Sequence, residues 1–599
     1  MRIERMKLVS IAVAAVVIVG LVVSLLTFGP GIFGPSTGPK RPAGTSSARA
    51  VGAPSKGAAN QSNLPKLSVG DPVGQENVKA DVFKVNQVGY LPSAQKIALV
   101  GATSADTFKV VDLGTWTSAY AGYLGEPVVD EESGDKLRTA DFSALKTPGE
   151  YAVVIPGTGR SYPFRIADDV YDKLFKDAIR SYDELARMAP RAWHTLDALL
   201  KLDPSKRLDV TGGWPDAGDY GKYTPTAALT VGELLMLYEL MPEKISKVGL
   251  DLPTNDKSGP DFLKVVRVEL DWLLKMQRSD GAVYDKVTPE QFGPFSKSDA
   301  DLGGTQYVYD ISTPDTAMFA AVMARAARVY QPVDAQFSKR ALAAAEKAWA
   351  FLEKNGEILP PPVGGTGGYF YASDESQRFW AAAELFKTTG TKKYDDYVRK
   401  HLAGSGELTI GALSWIDTRT MGLLTYYFTE KADKALKQDI KESLTTWADD
   451  MSVMVQTPIN PYRVSLAVYE WASNKTALDN GVMLLVANMV SPKPVYVEAA
   501  LDQLSYVLGR NAVNKAYVTG HGSDPVKDPH NRAMYASGKL VPGVLVGGPN
   551  KNAEHGYVNT TYGPKAYVDK MEAWCVNENS IEYNAPLVFL TGYFSTNGK

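Results

Sequence analysis

The chain has 599 residues, more than one compact core usually holds, so two or more domains are expected. It is 45% hydrophobic and 22% charged, and its 64 Lys and Arg against 67 Asp and Glu give a formal charge of -3, a balance that argues against a nucleic-acid partner. A single cysteine, Cys575, excludes an intramolecular disulfide and any Cys-rich zinc site.

Residues 1–28 read as an N-terminal membrane anchor or signal. Arg2, Arg5 and Lys7 precede an uncharged run from Leu8 to Phe28. At about 1.5 Å rise per residue that run spans a bilayer core of roughly 30 Å. It is longer than the apolar region of a cleaved signal, and no small-residue cleavage site follows, so an uncleaved anchor is favoured over a secreted form. The positive flank places the rest of the chain outside the cytoplasm. Residues 29–80, rich in Gly, Pro, Ala and Ser, bury too little apolar surface to order themselves and read as a disordered linker.

Over 81–167 the texture becomes that of a small β-sandwich. The runs VFKVNQVGYL, KIALVG, TFKVVDL and EYAVVIPG alternate with turn signals such as Thr147-Pro148-Gly149. From 168 to 599 helical periodicity takes over, as in FLKVVRVELDWLLKMQ (262–277), TAMFAAVMARAARVY (316–330) and KRALAAAEKAWAFLEKN (339–355). Such runs predict about a dozen helices joined by long Gly-, Pro- and aromatic-rich loops, with Asp315 opening one helix and Gly390 closing another. The class is mainly α.

Three of those loops could carry chemistry. GGWPDAGDYGKY (212–223) sets Asp216 and Asp219 three residues apart among glycines. Two carboxylates so close could orient a water and take its proton, and they equally suit a solvated turn or a calcium loop. AYVTGHGSDPVKDPHNR (516–532) holds His521, His530 and Arg532, the last two at alternate positions suited to sugar hydroxyls. YVDKMEAWCVNENSIEYNAPLVFL (567–590) places Glu578 before an apolar helix, where it reads as a helix cap or as a carboxyl of raised pKa able to donate a proton.

Taken in order, these blocks resemble glycoside hydrolase family 9 from about Val82 to the C-terminus. VNQVGYLP (85–92) is similar to the start of the immunoglobulin-like module that precedes the catalytic domain in one branch. GGWPDAGDYGKY resembles the family's GGW-x-DAGDYGKY block, and Tyr567, Asp569, Trp574, Glu578, Ser580, Asn584 and Ala585 match its C-terminal pattern.

The resemblance implies an (α/α)6 barrel behind an immunoglobulin-like β-sandwich, and the Leu8–Phe28 run adds an N-terminal transmembrane segment. It implies inverting hydrolysis of β-1,4-glucosidic bonds in cellulose or a related β-glucan, by an endo-β-1,4-glucanase. Asp219 would be the general base, Asp216 would help hold the water, and Glu578 would be the general acid. His530 and Arg532 would bind sugar, with Tyr583 lining the cleft. An exo-acting β-glucosidase or β-glucosaminidase, or a membrane-tethered glycan-binding protein with an inactive site, are the alternatives.

The expected partners are a polysaccharide or oligosaccharide and, through the N-terminal run, a membrane; a monomer is expected. The chemistry needs no cofactor. Asp374 and Glu375 are candidate ligands for a structural calcium, and the metal content is left open. Relatives with the immunoglobulin-like module carry a Cys/His zinc site where this chain reads RAWHTLDALL (191–200). Only His194 remains, so zinc is not carried over and His194 is expected to be packed. Pro215 and Asp285 stand where relatives often have His. Position 285 can face the sugar, and a carboxylate there would suit an amino-bearing substrate.

Overall fold

The computed structural model describes residues 68–596 apart from residues 102, 254–258, 299–300, 406–407 and 555. The Leu8–Phe28 run and most of the 29–80 segment lie outside the described residues. Among the described residues no helix is long and apolar enough to cross a membrane. From residue 68 the chain is already tied to the sandwich: the Gly70 and Val73 amides donate to the Ser118 and Trp116 carbonyls, both at 2.8 Å.

Ten strands build the β-part: β1 Phe83–Lys84, β2 Gly89–Tyr90, β3 Ile97–Gly101, β4 Thr107–Asp112, β5 Thr117–Tyr123, β6 Val128–Asp130, β7 Asp135–Asp141, β8 Gly149–Ile155, β9 Gly159–Arg160 and β10 Phe164–Ile166. One sheet runs β1-β3-β7-β6, and the other runs β2-β10-β8-β4-β5 with β9 on β8. Alternation decides which side chains enter the core. In β4, Phe108 and Val110 are buried while Thr107 and Lys109 are not, and Phe108 meets Phe83, Phe142, Tyr151 and Phe164 between the sheets.

Twelve longer helices follow in two rings. The inner ring is α2 Thr224–Leu240, α4 Thr313–Tyr330, α6 Glu375–Thr389, α8 Arg419–Tyr427, α10 Ser473–Val490 and α12 Ile581–Phe594. The outer ring is α1 Asp172–Met188, α3 Asp261–Lys275, α5 Ala335–Lys354, α7 Lys392–Ser405, α9 Lys434–Gln456 and α11 Pro494–Val507. Inner α2 packs on α4, α4 on α6, α6 on α8, α10 on α12 and α12 back on α2, while α9 touches both α8 and α10. This is the (α/α)6 barrel.

Sequence texture sorts the rings. The inner helices are buried round most of their circumference, charged side chains included; in α12 the buried stretch runs from Ile581 through Gly592. The outer α5 buries one side, Phe337, Ala341, Ala344, Ala345, Ala348, Trp349, Phe351 and Leu352, spaced mainly at three- and four-residue steps. Gly390 does close α6, with φ 66. Asp315 is not the cap of α4: the Ser312 hydroxyl accepts the Asp315 amide at 3.1 Å, and the Asp315 carboxylate takes the Ser312 O–H in return at 2.5 Å. Asp315 therefore sits inside the first turn.

The sandwich grips the barrel beside the 516–532 loop. The Gln87 side chain accepts the Ser523 and Asp524 amides at 3.0 and 2.8 Å and donates to the Asn514 carbonyl at 2.8 Å. Lys565 and Tyr462 of the barrel reach Asp135 of β7 at 2.8 and 2.5 Å.

Candidate active site

The 212–223 segment enters on a turn that needs glycine. Gly213 has φ 80, and a Cβ there would lie 2.8 Å from the Trp272 ring. Lys222 closes the segment from behind: its buried ammonium donates to the Gly212 carbonyl at 2.9 Å and to the Val210 carbonyl, and lies 4.4 Å over the Trp193 ring. Burial brings that ammonium down to about 7. The Asp216 amide donates to the Gly221 carbonyl at 2.9 Å, and the Asp216 carbonyl accepts the Ile581 amide at 2.7 Å. The turn is thereby anchored to the start of α12, and both aspartates line the cleft.

The three loops are stitched together through their main chains. The Arg532 amide donates to the Gly218 carbonyl at 2.7 Å, the His530 amide to the Asn577 carbonyl at 2.9 Å, and the Gly547 amide to the Glu578 carbonyl at 2.8 Å. Glu578 Oε1 accepts the Gly218 amide at 3.1 Å. Side chains from residues 216 to 583 thus share one cleft because peptide groups fix the loops against each other.

The carboxyl groups differ in their surroundings. Asp216 is 2% exposed; Thr226 Oγ1 donates to one of its oxygens and the Tyr369 hydroxyl to the other at 2.7 Å. Burial, with the Asp219 charge adding to it, raises Asp216 to about 8. Asp219 is 9% exposed and accepts the Gly221 amide at 3.0 Å and the Tyr223 hydroxyl at 3.1 Å. Burial raises it too, against those donors and the Arg532 charge. Glu578 is pushed well above the usual carboxylate range, first by burial and then by the Asp219 charge. Its side chain does not cap α12, since Ser580 fills that place. Of these two acids Asp219 is the better supplied with donors, and Glu578 is the one pushed well above the usual range.

His530, Arg532 and Tyr583 all line the cleft. The His530 Nδ1–H donates to the Met571 carbonyl at 2.6 Å, which leaves Nε2 as the acceptor in the neutral ring, and burial holds the ring below its ordinary pKa. Arg532 opens a short helix and spends donors on the Gly293 and Pro294 carbonyls at 2.5 and 2.9 Å, with Phe295 4.6 Å beneath. It fastens the 292–295 rim as well as facing the cleft. Trp471 Nε1 donates to the Tyr583 hydroxyl at 2.8 Å.

Other candidates fall elsewhere. His521 bonds Asp177 at 3.0 Å and is not part of the cleft lining. His194 is not packed: it is exposed, touching Trp193 at 5.4 Å between ring centres. Asp285 does not face the cleft. It is 2% exposed, 3.9 Å from Lys286 and beside Asp315, so an amino-bearing substrate cannot be argued from it. Asp374 pairs with Arg378 at 2.9 Å. Among the described residues no group of three or more His, Cys, Asp or Glu is placed to hold a metal ion.

The cleft encloses about 950 Å³ and carries aromatic faces from Tyr369, Trp415, Trp471 and Trp574. Sequence reasoning missed Tyr369, Tyr223 and Glu582 as site residues. Tyr223 stood inside the quoted block, but Tyr369 lies in a Gly-rich stretch, GGTGGYFY, where only the fold shows its hydroxyl reaching Asp216.

Comparison with known proteins identifies the family. The model for "Glycosyl hydrolase family 9" matches residues 171–591, and that for "Cellulase N-terminal ig-like domain" matches 79–160. Endoglucanase D of Acetivibrio thermocellus is 33% identical over 548 residues, covering 87% of this chain and 85% of its own. The xyloglucan-specific endo-beta-1,4-glucanase BoGH9A of Bacteroides ovatus is 32% identical, covering 85% and 93%. A metagenome-derived family 9 endoglucanase of known structure superposes with a TM-score of 0.80 at 37% identity, covering 86% of this chain and 99% of that one. AaCel9A, solved with a cellobiose-like isofagomine, gives a TM-score of 0.78 at 30% identity over 86% and 99%. The chain belongs to glycosyl hydrolase family 9 and is a glycoside hydrolase with an N-terminal immunoglobulin-like domain.

Proposed function

We propose that the protein is an inverting endo-β-1,4-glucanase acting on cellulose or a related β-glucan. The observation that carries this reading is the pairing of two unlike carboxyls in one aromatic cleft, with Glu578 fixed on the Gly218 amide one residue from Asp219. Inversion needs a protonated acid above the glycosidic oxygen and an ionised base that activates water on the opposite face. Glu578 is the acid and Asp219 the base. Asp216, gripped by Thr226 and Tyr369, holds the water with it. His530 Nε2, Arg532 and Tyr583 bind sugar beside the cleavage point, and the reaction as drawn runs on carboxyl groups and water.

The endoglucanase names of the relatives support the endo mode and the β-1,4 linkage. The uncharged Leu8–Phe28 run behind a basic flank supports an anchored enzyme working outside the cytoplasm.

Reducing ends released from carboxymethyl cellulose and xyloglucan, with proton NMR of the fresh product, test the reading. Internal cuts and the α-anomer first are expected. Release of only terminal sugars overturns the endo assignment, and β-anomer first overturns inversion.

A further inference from the structure

The floor of the cleft carries a polar layer that the mechanism above does not use. Three inner helices each send a carboxyl to it: Glu233 from α2, Asp479 from α10 and Glu582 from α12. Lys475, one turn before Asp479, is the ammonium among them. It is committed, donating to Asp479 Oδ2 and to the Leu413 carbonyl, both at 2.6 Å. Lys475 and Asp479 Oδ2 therefore satisfy each other. Glu233 is wholly buried near Asp479, and burial, with the Asp479 charge adding to it, pushes its carboxyl well above the usual carboxylate range.

Glu582 is different. It is 7% exposed and belongs to the cleft lining with Tyr583, Tyr369, Trp415, Trp471 and Lys475. Among the described residues its carboxyl has no hydrogen-bond partner, although its backbone amide is taken by Ser580. Its carboxyl opens onto the cleft with no protein group among the described residues bonded to it, so its hydrogen-bonding capacity is available to whatever fills that space. Glu582 lies four residues after Glu578, in the first turn of α12, and aromatic side chains line the cleft around it. A few polar groups set among aromatic walls are how small-molecule clefts fix orientation.

Resting on the glucanase reading, we propose that Glu582 is a further substrate-binding residue, whose carboxyl hydrogen-bonds hydroxyl groups of the neutral sugar seated on the cleft floor and so determines how tightly glucan is held. Burial lifts this carboxyl to about 7, so near neutral pH it can both donate to and accept from sugar hydroxyls. Glutamine, which also carries a donor and an acceptor at that reach, should replace it; leucine should not.

The test compares Glu582→Gln and Glu582→Leu in cellopentaose kinetics and, on a Glu578→Gln background, in cellotetraose titration calorimetry. The expected result is a KM and Kd raised about tenfold or more in the leucine protein and within about threefold in the glutamine protein. A purely structural role would instead lower Tm and leave Kd alone. A crystal structure of the Glu578→Gln protein with cellohexaose is the second measurement and needs no change at 582. A Glu582 oxygen within about 3.2 Å of a sugar hydroxyl supports the proposal, and a floor with no sugar atom near Glu582 overturns it. Unchanged cellotetraose affinity in the leucine protein overturns it as well. If the parent binds chitosan oligosaccharides but no cello-oligosaccharide, the glucanase reading and the neutral-sugar assignment both fail.

Discussion

Glu578 Oε1 and the Gly218 amide meet at 3.1 Å although 360 residues separate them in the chain. This contact ties the acid to the turn that carries the base, so the relative placement of the two carboxyls is a property of the main chain. A Cβ on Gly218 would run into the His530 carbonyl and lie 2.9 Å from Glu578 Oε1. Gly218→Ala should therefore lower kcat at least tenfold, more than it lowers Tm, because the loops must part locally while the barrel core is untouched. Cellopentaose kinetics with a thermal melt checks this; unchanged kcat would show the contact to be dispensable.

Removing the proton from the acid should be more costly still. Glu578→Gln keeps the shape and a hydrogen-bond acceptor for Gly218 but cannot protonate the leaving oxygen. Activity on carboxymethyl cellulose should fall about 10²–10⁴-fold with the circular dichroism spectrum unchanged. Asp219→Asn should fall as far, and Asp216→Asn less, since Asp216 acts through the water.

Tyr369→Phe isolates the support of Asp216. Its hydroxyl is the donor to one oxygen at 2.7 Å, while Thr226 serves the other. Loss of about one hydrogen bond at a reacting centre predicts a kcat lower by about tenfold with KM little changed. A KM effect alone would mean that the ring serves only as a sugar platform.

The pH profile of kcat/KM should be a bell whose limbs belong to the coupled carboxyls. The base must be ionised, so activity falls as pH drops through the Asp219 titration, which burial has raised above the ordinary aspartate value. The acid must be protonated, so activity falls as pH rises through that of Glu578, which burial and the Asp219 charge push upward. In Asp219→Glu, with residual activity, the acid limb should move and the alkaline limb move less.

A second buried charge cluster predicts acid sensitivity of the fold. Glu239 pairs with Arg328 at 2.6 Å and with Arg325 at 3.4 Å, and Glu384 with Arg325 and Arg328 at 2.6 and 2.7 Å. Burial works against ionisation of Glu239, but the charges of Arg328, Lys387 and Arg325 outweigh it and bring the carboxyl down to about 2 from 4.5. A depressed carboxyl contributes stability that is complete above about pH 4.5 and is lost as pH falls toward 2. Glu239→Gln should therefore lose about 3 kcal/mol at pH 7, and the gap to the parent should narrow below pH 4.5 in urea titrations.

Much of the site was legible because its chemistry sits in short blocks. Asp216, Asp219, His530, Arg532, Glu578 and Tyr583 all reach one cleft, as the family resemblance implied. Where neighbours come from distant segments, the reading failed. Asp285 was expected near the sugar because relatives often have His at that position, yet it turns back on Lys286 and Asp315. His194 was expected to pack and is exposed, because its four-residue helix buries Trp193 instead. Tyr369 and Glu582 went unseen, one in a loop without periodicity and the other reading as the polar residue of a helix start.

By itself the sequence determined the division into a β-rich and a helical part, the alternation of apolar and amphipathic helices, and the family, since periodicity and ordered motifs are local or linear properties. Only the tertiary structure decided which acids share the cleft, which one meets Gly218, and that the Glu582 carboxyl lines the cleft floor. Those outcomes depend on burial and on hydrogen bonds between residues hundreds of positions apart, and no spacing along the chain encodes them.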